Sequence, residues 1–136
     1  MLDRQMEPSN LPKCARENIA FLAYSPLAQG LLTGKVRPER EYPQGDQRNS
    51  KNRFKPENVR KVLSMLEPML PIAEKHKVSL SQLTMAWTLE QHGCSHVLCG
   101  ARNAHQATDN AGAGAIELTD DEIAAISQAV QGYQGM

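Results

Sequence analysis

The chain has 136 residues and carries 15 lysines and arginines against 15 aspartates and glutamates, so its formal net charge is zero and its pI lies near 6.9. That length suits one domain with a real core, and the balanced charge argues against a nucleic-acid or membrane-surface binder, which needs a positive field. Cys14, Cys94 and Cys99 form an odd, unpatterned set that fits reduced thiols in a soluble cytoplasmic protein; no stretch has membrane-spanning length, and Met1–Gln5 lacks the apolar core of a signal peptide.

In chain order, Pro8 suits a first helical turn, with Leu11, Cys14 and Ala15 lining one face of a short helix. Ile19–Tyr24 is a brief apolar, partly β-branched run that reads as a fully buried strand. From Val36 to Lys55 the composition turns polar and carries Pro38, Pro43 and Gly45. This predicts a long flexible loop over 36–55, of a length that is usually functional or mobile. Helix resumes at Pro56, with Val59, Val62, Leu63 and Leu66 on one face. Pro68 and Pro71 should kink or divide the helical chain beyond Leu66.

Ser79 with Gln82 forms a capping box and opens a helix whose apolar positions are Leu80, Leu83, Ala86, Trp87 and Leu89. His96–Cys99 is a second short strand, and Asn103 with Gln106 can cap another helix. Gly112–Ala115 reads as a turn. Thr119 with Glu122 is a second capping box, with Leu118 and Ile123 as its hydrophobic staple and Ile126, Ala129 and Val130 on the buried face. Strand, loop, helix, strand, helix predicts a parallel α/β sheet with crossover helices. Two strands alone leave such a sheet unfinished, because parallel strands need cover on both faces and along both edges.

Two stretches carry the chemistry, and each comes directly after one of the apolar runs. The first is Ala23-Tyr24-Ser25-Pro26-Leu27-Ala28-Gln29-Gly30-Leu31-Leu32-Thr33-Gly34-Lys35; the second is Gly100-Ala101-Arg102-Asn103, with Gln106, Asp109 and Asn110 beyond it. One offers an aromatic ring and backbone amides, the other a cation beside a helix start. Together they read as a pocket for a phosphorylated dinucleotide. Singly they are less specific: Tyr24 alone suits a core, Arg102 a solvated surface, Asn103 and Gln106 a simple cap, and Asp109 and Asn110 a helix surface. His76, His92, His96 and His105 have no metal-ligand spacing and read as surface or helix-end residues, and no metal site is expected. Arg48, Lys51 and Arg53 form a small basic cluster of the kind usual in solvated loops.

Leu2–Gln5, the Tyr24–Lys35 motif, Asp46–Phe54 and the Gly100–Asn110 pattern closely resemble the C-terminal part of bacterial-type aldo-keto reductases, and the resemblance covers essentially the whole chain. It implies residues 1–136 as the C-terminal part of an NADPH-dependent reductase of aldehydes and ketones. The fold implied is an incomplete (β/α)8 barrel, with Ile19–Tyr24 as the seventh strand and His96–Cys99 as the eighth. By the same resemblance, Tyr24 stacks on the nicotinamide ring. Ser25, Leu27, Gln29 and Gly30 wrap the pyrophosphate. Gly100, Ala101 and Arg102 form the second loop, with Arg102 as the 2′-phosphate clamp that favours NADP over NAD. Gln106, Asp109 and Asn110 resemble the adenosine contacts, and Arg53 is a candidate for closing over the cofactor. Cys99 stands where the family usually has proline, and a buried thiol is expected there.

The family's catalytic aspartate, tyrosine, lysine and histidine match nothing in this chain. Tyr24, Tyr42 and Tyr133 lie outside that pattern, so no catalytic residue is carried over. General acid chemistry cannot come from cofactor contacts, and a whole barrel takes about 250 residues. The expectation is therefore an NADP-binding segment that is inactive alone. Activity would require another polypeptide supplying the missing strands; a non-enzymatic nucleotide-binding or assembly module, or a truncated gene product prone to self-association, are the alternatives.

Overall fold

The computed structural model describes residues 1–133; residues 134–136, the end of the expected 1–136 domain, lie outside the described residues. Helix α1 spans Asn10–Arg16. Pro8 sits in the turn before it rather than inside it, because the N–H groups of Asn10 and Leu11 both donate to the Met6 carbonyl at 3.0 Å. The helix ends on Asn18 in the left-handed region (φ 53°), with the Ile19 N–H donating back to the Cys14 carbonyl at 2.9 Å. That closure satisfies an orphan helix carbonyl, and it takes Ile19 out of the expected strand.

Strand β1 is therefore Leu22–Tyr24 and β2 is His96–Leu98, with Cys99 beyond its end. They pair in parallel, with Leu22 opposite His96, Ala23 opposite Val97 and Tyr24 opposite Leu98. The expectation of full burial fails on one face. Side chains alternate across a strand; Ala23 and Val97 are half-buried, whereas Leu22, Tyr24, His96 and Leu98 are exposed. The sheet is open, with no third strand among the described residues.

The core lies among the helices instead. Helix α2 (Pro56–Leu66) begins on a proline at its first position, where the missing N–H costs nothing, and buries Val59, Val62, Met65 and Leu66. Glu67–Met69 then tightens into a 3₁₀ turn at Pro68 before α3 (Leu70–His76), as the two prolines foretell. Helix α4 (Leu80–Leu89) opens with both halves of the Ser79–Gln82 capping box and is buried continuously from Leu83 to Thr88. Helix α5 spans Ala104–Ala111 and continues as a 3₁₀ turn over Gly112–Ala115, in place of the simple turn expected there.

Helix α6 (Asp120–Gly132) carries the second capping box and buries Ile126 and Val130. These faces meet Leu31, Leu32 and Phe54 in one cluster around Leu83 and Trp87. The Trp87 indole N–H donates to Ser127 Oγ at 3.1 Å, which satisfies the one polar atom that α4 drives into the α6 contact with its tryptophan.

The 36–55 segment is not a plain loop. Val36 and Phe54 are buried at its two ends, and Gln47–Ser50 and Asn52–Phe54 are 3₁₀ turns. Tyr42 packs edge-on against Phe54 with ring centroids 5.6 Å apart, and the Arg48 guanidinium lies 4.2 Å from the Tyr42 ring centroid. Asp46 binds the same guanidinium, which holds its carboxyl at a pKa of about 2.

Candidate functional site

In a parallel pair both strands deliver their C-terminal ends to the same side. The register sets Tyr24 opposite Leu98, so the two chemistry-bearing loops leave one end of the sheet together. Tyr24 is 83% exposed on the uncovered face, where an aromatic ring is available as a platform.

Beyond Tyr24 the backbone is unusual. Ser25 has φ 53°, and Ala28 (47°), Gln29 (57°) and Gly30 (98°) are three successive left-handed residues, two of them not glycine. Such residues cost roughly 1–3 kcal/mol each and persist only where the surroundings fix them. Here the surroundings are Leu31 and Leu32, each 1% exposed, and buried Ala28 and Pro26. Thr33 Oγ1 donates to the Gly30 carbonyl at 2.7 Å and locks the turn. Gly34 closes the segment at φ 69°, and a Cβ there would stand 2.7 Å from Leu80 Cδ1. Within this held segment the N–H groups of Leu27 and Gln29 find no acceptor among the described residues. Free amides on a turned backbone suit an anion.

The second loop is held by polar staples. Asn103 Oδ1 accepts from the Gln106 N–H at 2.9 Å and caps α5, as expected. Gln106 Oε1 reaches back to the Arg102 N–H at 2.8 Å, and Asn110 Nδ2 donates to the Gly100 carbonyl at 3.3 Å. The residues expected to contact adenosine therefore also shape Gly100–Arg102. Asp109 offers its carbonyl to Gln82 Nε2 at 2.9 Å, which ties α5 to the start of α4. Ala101 is exposed, and the exposed Arg102 makes no ion pair among the described residues. Cys99 and Cys94 are half-buried, and burial pushes both thiols up from their ordinary pKa, away from reactive thiolate character.

Arg53 makes no side-chain hydrogen bond to either loop among the described residues. Its guanidinium clamps Asp3 through two hydrogen bonds of 3.0 and 3.1 Å. Lys51, part of the basic cluster that suits a solvated loop, reaches the turn of the first loop, donating from Nζ to Gln29 Oε1 at 2.8 Å. Nothing local in the sequence signals that contact, which spans 22 residues. The histidines include one surprise: His76 ends α3 as expected, but its Nε2 lies 3.0 Å from both carboxylate oxygens of Glu122. Among the described residues no group of histidine, cysteine and carboxylate side chains is placed to hold a metal. No helix of the described residues is long and apolar enough to cross a membrane.

Residues 1–131 match the family model of the Aldo/keto reductase family, and the chain belongs to that family. It is 39% identical to the NADH-specific methylglyoxal reductase of Escherichia coli K12 over 88% of this chain and 36% of that protein. It is 30% identical to an aldo-keto reductase of Schizosaccharomyces pombe named for NADP(+), over 85% of this chain and 34% of that protein. A solved glycerol dehydrogenase of Gluconobacter oxydans superposes with a TM-score of 0.87 at 29% identity, covering 98% of this chain and 41% of that one. The chain thus spans about a third of the length of these curated relatives.

Proposed function

We propose that the two loops form the dinucleotide-binding part of a carbonyl reductase site, carried on the last two strands of an incomplete (β/α)8 barrel, with NADPH as the cofactor. The observation that carries this reading is the parallel register, which sends an exposed ring with free amides and an unpaired guanidinium out of the same sheet end. Barrel enzymes of this class work at that end. The partial match to a larger solved reductase-family fold supports a barrel segment.

The residues present fit a dinucleotide. The Tyr24 ring offers one flat face to an aromatic ring and shields it from water. The Leu27 and Gln29 amides, with Ser25 and Gly30 beside them, receive the pyrophosphate oxygens. Arg102 presents a fork that matches a terminal phosphate, beside the positive end of α5. Gln106, Asp109 and Asn110, spaced three and four apart on α5, supply the amides and carboxylate for a nucleoside edge. Bound NADPH supplies hydride to a carbonyl carbon. Proton transfer lies with groups this chain does not carry, so the chain alone is expected to bind without turnover.

Relatives named for opposite cofactors make Arg102 the residue to test. Fluorescence titration should show NADPH binding more tightly than NADH, and Arg102→Leu should erase the difference. Equal binding of both by the wild-type chain would overturn the NADPH assignment. Reduction of an aldehyde by the chain alone, at a rate comparable with a full-length reductase, would overturn the division of labour.

A further inference from the structure

We propose that Lys51 is a cofactor-binding residue of this site, placing its ammonium on the pyrophosphate held by the Leu27–Gly30 turn. This inference rests on the dinucleotide reading above and extends it to a residue from a separate segment. The contact is direct: Lys51 Nζ donates to Gln29 Oε1 at 2.8 Å, and Gln29 is one of the left-handed residues whose N–H is free. The partner is a neutral amide. Lys51 makes no ion pair among the described residues, so its charge is brought to the turn without being compensated there.

The placement is built into the backbone. Lys51 sits between the two 3₁₀ turns in extended conformation (φ −88°, ψ 124°). Its N–H donates to the Arg48 carbonyl at 3.2 Å, and its carbonyl accepts from the Phe54 N–H at 3.0 Å. Phe54 is buried, and buried Asn58 donates from Nδ2 to the Asn52 carbonyl at 2.8 Å, so the second turn is fastened to α2. On the other side the Asp46–Arg48 pair fastens the first turn.

Of the basic cluster, Arg48 is engaged with Asp46 and Arg53 with Asp3, and Lys51 is left without an ion pair among the described residues. A pre-positioned ammonium beside unsatisfied amides is a stronger anion site than the amides alone. Because a pyrophosphate is common to NADPH and NADH, Lys51 should strengthen both, whereas Arg102 should act only where a 2′-phosphate is present.

The test is a set of titrations on the full chain with NADPH, NADH and, by competition, adenosine 2′-monophosphate, which has no pyrophosphate. Lys51→Met should weaken NADPH and NADH alike by about tenfold, the scale of one charge-assisted contact. It should leave adenosine 2′-monophosphate unchanged, and Lys51→Arg should restore most of the loss. Unchanged dinucleotide affinity in Lys51→Met, with the wild type binding normally, overturns the Lys51 assignment alone. Loss that extends equally to adenosine 2′-monophosphate, or that Lys51→Arg does not rescue, also overturns it, since it marks disruption of the fold. A wild-type chain that binds neither dinucleotide overturns the site reading itself, and this inference with it.

Discussion

The two loops at the sheet end solve the same problem with opposite materials. Ser25–Gly34 takes up four positive φ angles in its first six residues, and two buried leucines hold it there. Gly100–Asn110 has none, is almost wholly exposed, and is shaped by the side-chain amides of Asn103, Gln106 and Asn110. Strained backbone needs a dense core beneath it, because only close packing over-determines a conformation. An unstrained loop needs only a few hydrogen bonds, each worth about 0.5–1.5 kcal/mol net. The first loop should therefore share the fate of the core, and the second should be adjustable without touching it.

Truncating an anchor is the strongest way to test that coupling. Leu31→Ala removes a 1%-exposed side chain from the central cluster and should cost about 2–5 kcal/mol in urea unfolding. Dinucleotide affinity should fall with it, since the left-handed turn loses its footing. A stable variant with intact binding would show that the turn is held locally instead. Gly34→Val comes next. It forces a β-branched residue to φ 69° with its Cβ 2.7 Å from Leu80, and roughly 1–3 kcal/mol of destabilisation is expected.

Acid should separate the loops by another route. Glu122 accepts from Lys75 at 2.7 Å and from His76 at 3.0 Å, and also completes the α6 capping box. The Lys75 hydrogen bond is the first cause, ahead of the Thr119 backbone N–H, that holds its carboxyl at a pKa of about 2, below its ordinary 4.5. A depressed carboxylate stabilises fully above its unfolded pKa and loses that contribution as pH falls through the folded one. Stability should therefore drop between about pH 4.5 and about pH 2, and Glu122→Gln should remove the Glu122 share of that drop, leaving the share of Asp46. Because Ile126 and Val130 of α6 belong to the cluster that anchors Leu31 and Leu32, the first loop should loosen in acid before α5 does. Hydrogen exchange resolved by segment would read the order.

What the sequence shows plainly is whatever is settled within a few residues. Both capping boxes, the proline break after α2 and the Asn103 cap are local chemistry, and each is found where it was read. The strand ends are less legible because Ile19 is claimed by the closure of α1, which depends on Asn18 turning left-handed. The open strand face reflects what packs on the sheet, and no pattern within Leu22–Tyr24 encodes that. The site motifs stand out as residue types, yet the strain at Ala28 and Gln29 is invisible in letters that are not glycine. Contacts such as Lys51 to Gln29 and Arg53 to Asp3 are products of the tertiary fold.

The mildest perturbation sharpens the comparison most. Asn110→Ala removes the amide that donates to the Gly100 carbonyl at 3.3 Å, at a half-buried position of α5 with no part in the central cluster. A long, partly solvated hydrogen bond of this kind is worth well under about 1 kcal/mol, so thermal unfolding should move little. The loop is different, because Gly100 has no side chain of its own to restrict it and Arg102 then keeps only the Gln106 staple. NADPH affinity should fall several-fold while NADH affinity changes less, since the residue set loose is the one proposed to meet the 2′-phosphate. An Asn110→Ala chain that unfolds like a core variant would show that the second loop is as deeply tied to the fold as the first, and the contrast between them would be lost.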